Sequence, residues 1–170
     1  MRTELTAERA RELLDYRPET GEFFWRVARP GTYAGASAGH WQKEKSGEVR
    51  LLIRIDWTAF LAHRVGWLIV HGQFPLGRLD HKDGDQTNNK ILNLRPATHS
   101  QNMQNKKKAA HNKSGFKGVS WDPLNNKWVV RIRVPDGEYR NLGRFTDAEA
   151  GHQAYCAAAK TLYGEFARFA

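Results

Sequence analysis

The chain has 170 residues, enough for one ordinary domain or two or three small ones, and a formal charge of +9 from 27 Lys and Arg against 18 Asp and Glu. Its single cysteine, Cys156, excludes an intramolecular disulfide and any zinc site built on several cysteines, and it fits a reducing compartment. No apolar stretch approaches the ~20 residues of a membrane span and no apolar segment follows the N-terminal residues, so the expectation is a cytoplasmic protein whose charge suits a polyanion.

Residues 6–14 predict a helix with Thr6 as its cap. A turn at 18–21 leads into an aromatic strand at Phe23, Phe24 and Trp25. Residues 31–47 are rich in Gly, Ser and Ala and predict loops or short strands. Residues 49–55 alternate Val, Leu and Ile with Arg, a strand pattern. Residues 58–71 predict a helix, because Leu61, Val65 and Leu68 recur at i, i+4 and i+7; Gly72 and Pro75 end it.

Arg78-Leu79-Asp80-His81 predicts a short strand, and the turn formers of 82–89 predict a loop. Residues 91–95 predict a second strand. Thr98 followed by Gln101 has the spacing of a capping box, so a helix should start there and carry Asn102 in its first turn or just beyond. The basic run from Lys106 is either a solvated linker or a set of phosphate contacts.

Strands are predicted over 116–121, 127–134 and 138–145, with Asp136-Gly137 as a hairpin turn. A helix capped by Thr146 should run to Tyr163 and stop at Gly164. Alternation puts Trp128, Val130 and Ile132 on one face of the middle strand, and Arg131 and Arg133 on the other. Small apolar residues of the helix suit the first face. The second would present Arg131, Arg133, Tyr139 and Asn141 to solvent. Residues 106–145 hold ten Lys and Arg against three acidic residues, and a sheet of this kind fits the major groove of DNA.

The chemistry points to Asp80 and His81. Splitting a phosphodiester requires an activated water, neutralised phosphate charge and a stabilised leaving oxygen. Neighbours on a regular strand face opposite ways, so a kink at the strand end would be needed to aim both into one cleft. An Asn from the following helix could add a neutral oxygen ligand, and such oxygen donors suit Mg2+ or Mn2+ better than zinc. His99 is an alternative ligand from that helix. His63, His71 and His111 read as structural or surface residues, and Cys156 as core.

Leu79-Asp80-His81-Lys82-Asp83-Gly84-Asp85, with Asn88-Asn89, Ile91, Asn93-Leu94-Arg95 and Thr98, Gln101 and Asn102, resembles the HNH (ββα-metal) endonucleases of phages and mobile introns. The resemblance spans about residues 60 to 105, reaching Ala62-His63-Arg64-Val65-Gly66-Trp67. It implies that His81 is the general base, that Asp80 and Asn102 hold one divalent cation, and that Asn93 ties the loop between the strands and orients His81. Many members carry His where Asn102 stands.

Ser114-Gly115-Phe116-Lys117-Gly118-Val119-Ser120-Trp121, Trp128 with Arg131 and Arg133, Asn141-Leu142-Gly143-Arg144-Phe145, and Ala148-Glu149 with Ala154-Tyr155 resemble the plant ethylene-response-factor (apetala-type) DNA-binding domain. This second resemblance implies that Lys117, Ser120, Arg131, Arg133, Tyr139 and Asn141 lie toward DNA. The plant arginine and tryptophan are missing at the positions of Ser120, Tyr139 and Asn141, so sequence preference does not transfer.

The expected fold class is α+β. A small N-terminal region (1–75) would support a ββα-metal nuclease motif (76–105). A basic linker (106–113) would lead to a three-stranded antiparallel sheet packed on one helix (114–170). The expected partner is double-stranded DNA, with no membrane and no small-molecule substrate. The expected activity is metal-dependent DNA cleavage. A DNA-binding regulator with an inert motif and a structure-specific nuclease are the alternatives.

Overall fold

The structure, a computed structural model, describes residues 4–45, 47–108 and 112–169. Of the basic run, Ala109, Ala110 and His111 lie outside the described residues. The fold is α+β, and the chain divides into two compact units, Met1–Pro96 and Ala97–Ala170. Among the described residues no helix is long and apolar enough to cross a membrane.

The first unit opens with helix α1 (Ala7–Leu13), whose N-cap Thr6 accepts from the Arg9 amide. Strands β1 (Leu14–Arg17) and β2 (Glu22–Trp25) form an antiparallel hairpin around the 18–21 turn. The Gly-rich stretch yields one short strand, β3 (His40–Lys43), which pairs with β4 (Val49–Ile55). Strand β5 (Thr58–Leu61) pairs with β4 on its other side, and helix α2 (Ala62–His71) follows.

The predicted helix over 58–71 is corrected at its start. Asp56 and Trp57 take positive φ values of 45° and 66°, the conformation of a two-residue hairpin turn. The chain therefore reverses, and Thr58 pairs with Ile55. The apolar spacing through Leu61 ran across that boundary without marking it.

The core of this unit joins Leu13, Leu14, Phe23, Ile53, Ile55, Val65 and Leu68. Ile53 and Val65 are wholly buried. Cutting Ile53 to Ala should cost ~2–5 kcal/mol by lost burial and a residual cavity.

Strand β6 (Arg78–His81) pairs with β7 (Leu94–Ala97). The predicted strand over 91–95 is corrected: Ile91–Asn93 is a 3-10 turn, closed by the Asn93 amide on the Lys90 carbonyl. Helix α3 (His99–Gln104) carries the full capping box. Thr98 accepts from the Gln101 amide and the Gln101 side chain accepts from the Thr98 amide.

In the second unit β8 (Val119–Asp122), β9 (Lys127–Arg133) and β10 (Tyr139–Phe145) form an antiparallel sheet with β9 central. Helix α4 (Ala148–Tyr163) covers one face, where Val119, Val130 and Ile132 pack with Tyr155, Ala159 and Tyr163. Its N-cap is Asp147, not the expected Thr146; the Asp147 carboxylate accepts from the Ala150 amide at 2.8 Å. A bulge between Asn141 and Gly143 shifts the register of β10.

Candidate active site

Asp80 and His81 close strand β6 and are 4% and 6% exposed. A buried carboxylate is costly unless paired. Asp80 is paired: Arg95, on the neighbouring strand and 8% exposed, reaches its Oδ2 with Nε at 3.0 Å and Nη2 at 2.9 Å.

His81 is directed to other partners. Its ring meets the ring of His63 from α2 edge-on, with centroids 5.0 Å apart and planes at 80°. Burial holds the imidazole below its ordinary range, against the charges of Asp83, Asp80 and Asp85. It is therefore neutral at neutral pH and able to accept a proton. Burial first, and then nearby His81, Arg64 and Arg50, push His63 down to about 3.

The loop between the strands is organised by Asp83 and Asn93. Asn93 Oδ1 accepts from the Asp83 amide at 3.1 Å, and its Nδ2 donates to Asp83 Oδ1 at 3.0 Å and to the Asn88 carbonyl at 2.9 Å. Asp83 also accepts from Asn88 Nδ2 and from the Asp85 amide. Asn93 is thus placed to tie the loop, and its hydrogen bonds go to Asp83 and Asn88. Sequence reading passed over Asn89 as a turn residue and Arg95 as part of a motif without a role. Burial is the feature that singles them out, and it is invisible in a run of turn formers.

Asn102 is the fourth residue of α3 and is partly buried. Asp80 belongs to the first unit and Asn102 to the second. Among the described residues no group of three or more His, Cys, Asp and Glu is gathered as for a metal.

On the second unit's sheet, Arg131 pairs with Asn141, Arg133 with Tyr139, and Ser120 with Val129. Directly paired residues share a face, so Ser120, Arg131, Arg133, Tyr139 and Asn141 are brought together opposite α4. All five are exposed, Tyr139 by 70%. Lys117 is placed differently. Its Nζ donates to the carbonyls of Gln104 and Lys106, each at 2.7 Å, at the C-terminal end of α3. Arg50 is engaged with Gln86 at 2.6 Å and Glu48 at 2.8 Å.

A family model described as HNH endonuclease matches residues 60–104. Protein 3.8 of Escherichia phage T7 is 33% identical over 104 residues, covering 61% of this chain and 84% of that protein. An uncharacterized HNH endonuclease, L560, of Acanthamoeba polyphaga mimivirus is 31% identical over 144 residues, covering 81% of this chain and 74% of its own length. Among solved structures, one described as DNA binding and cleavage by the HNH homing endonuclease I-HmuI aligns over 89% of this chain and 85% of its own, with a TM-score of 0.39 and 18% identity.

Proposed function

The chain belongs to the HNH endonuclease family and is a nuclease, and from that premise we propose that it is a metal-dependent DNA endonuclease of the phage or homing type. The observation that carries this reading is the buried Asp80–His81 pair at the end of β6, with a neutral imidazole and a loop tied by Asn93. His81 takes a proton from the attacking water. As the family resemblance implies, Asp80 and Asn102 would each offer a side-chain oxygen to one Mg2+ or Mn2+. When bound, that ion neutralises charge on the scissile phosphate and on the departing 3′ oxygen. Arg95 holds the Asp80 carboxylate in place through two bonds to one oxygen. Products carry a 5′-phosphate and a 3′-hydroxyl.

The C-terminal unit is proposed as the ethylene-response-factor-like grip on double-stranded DNA. Arg131, Arg133, Tyr139, Asn141 and Ser120 form its contact face, supported by their shared exposure. In this proposal Lys117 braces α3 and is not a DNA contact.

Supercoiled plasmid incubated with Mg2+ or Mn2+ should give nicked or linear product. A general base contributes ~10²–10⁴-fold, so His81→Ala should lose at least ~100-fold of the cutting rate with DNA affinity nearly unchanged. Asp80→Ala should abolish metal-dependent cutting. Full activity in chelator would remove the metal from the reading. DNA binding without cutting in either metal would leave a regulator with an inert motif.

A further inference from the structure

The hairpin that joins β4 to β5 turns on Asp56 and Trp57, at φ 45° and 66°. A two-residue turn with both φ values positive favours Asn-Gly or Asp-Gly, because glycine has no Cβ to clash in the left-handed region. Asp56 fits that preference and Trp57 departs from it. A bulky aromatic residue at positive φ is strained. The Trp57 ring gives the fold little in return, since the residue is 94% exposed. Exposure of one apolar side chain is ordinary. Exposure combined with a strained backbone marks a residue kept for a task outside the fold.

The tip is held in place. Arg9 of α1 grips the Asp56 carboxylate, with Nε 3.2 Å from Oδ2 and Nη2 3.4 Å from Oδ1. Arg29 Nη1 donates to the Arg54 carbonyl at 3.1 Å, and the same guanidinium lies 4.1 Å from the centre of the Trp25 ring. The turn is thus supported on both sides of its first residue, and the next residue carries the indole into solvent. None of the residues of β3, β4 and β5 is acidic, and Arg54, two residues before the turn, is exposed.

The chain neighbours Asp56, Thr58 and Ala59 offer no extended apolar patch of the kind that a protein partner or a lipid surface covers. A nucleobase is a flat ligand of the ring's own size, and its stacking on an aromatic side chain tolerates any sequence. We propose that Trp57 stacks on a DNA base that is unpaired or has left its stack, with Arg54 toward the adjoining phosphates. The proposal rests on DNA being the substrate, and it gives the first unit a base contact of its own outside the nuclease motif.

The test uses the full chain without divalent metal, so that binding is read apart from cutting. Fluorescence anisotropy gives Kd for a short labelled duplex and for the same duplex carrying one unpaired adenine. The parent protein should bind the second more tightly. Trp57→Gly should weaken binding to the duplex with the unpaired base by roughly 5–150-fold, the contribution of one stacked base, and binding to the paired duplex by less. Trp57→Phe keeps an aromatic face and should retain most of the affinity. Trp57→Gly should unfold at an equal or higher Tm, because glycine relieves the left-handed backbone.

An equal loss on the two duplexes, or no loss on either, overturns the stacking contact. A lower Tm in Trp57→Gly also overturns it, by giving the ring a task in the fold. Sedimentation tests the remaining occupant: a dimer of the parent that Trp57→Gly abolishes would place a second copy on the ring and sink the proposal. If the parent binds neither duplex, the reading of DNA as substrate fails. If the parent binds both and Trp57→Gly matches it, only the stacking contact fails.

Discussion

At the scale of single residues, the site is a set of buried polar groups whose partners determine what each can do. Asp80 and Arg95 form an ion pair out of contact with solvent. Losing one partner of such a pair leaves an uncompensated charge and costs ~3–5 kcal/mol. Arg95→Met should therefore destabilise the protein by about that amount in urea unfolding, and adding Asp80→Asn should recover much of it. Additive effects of the two changes would show that the pair is not coupled. His63 supplies a second check. Its folded value of about 3 lies below the ordinary 6.5, so the unfolded chain binds the extra proton within that window. Stability contributed by neutral His63 is thus present above about 6.5 and is lost as pH falls toward 3. In His63→Phe the slope of unfolding free energy against pH should be shallower across this range.

At the scale of elements, the short helix α3 is the one least able to stand alone. Six residues are far below the ~12–15 at which isolated helices become marginal in water, so outside contacts must hold it. The capping box satisfies its first turn. Lys117 serves the other end, donating to the Gln104 and Lys106 carbonyls, where a positive charge also favours the helix dipole. Burial and nearby Arg168 push Lys117 down to about 8. This element was legible from Thr98 and Gln101 because a capping box is local chemistry. Its C-terminal clamp was not, because Lys117 is thirteen residues beyond Gln104. The same contrast explains the misread start of α2 and the 3-10 turn at Ile91–Asn93. Periodicity records which residues are apolar, and a hairpin turn at Asp56 and Trp57 without glycine gives it no break to record.

At the scale of the whole molecule, the second unit carries 12 Lys and Arg against 6 Asp and Glu, and its exposed sheet face presents Arg131 and Arg133. Phosphate contacts release counterions, and each neutralised phosphate adds ~0.9 to the salt slope of binding to duplex DNA. Arg131→Ala and Arg133→Ala should each lower that slope by about one if they touch phosphate. A base contact would instead cost ~1–3 kcal/mol at one position of the target. Filter binding across a salt series distinguishes these outcomes, and unchanged binding in both variants would dismiss the face as the DNA surface. The division into units separates Asp80 from Asn102 along the chain, and the sequence carried no sign of that boundary.

The sequence by itself determined the family motif, the capping of α3, the alternation of β9 and the basic balance, because each is written in local spacing or in composition. Only tertiary contacts set Arg95 against Asp80, turn Lys117 to a helix end, and bring the Tyr16 hydroxyl to the Asn89 carbonyl. Those facts depend on burial and on contacts across as many as 73 residues of chain. Spacing in a sequence cannot express which distant carbonyl a buried hydroxyl or amide will find.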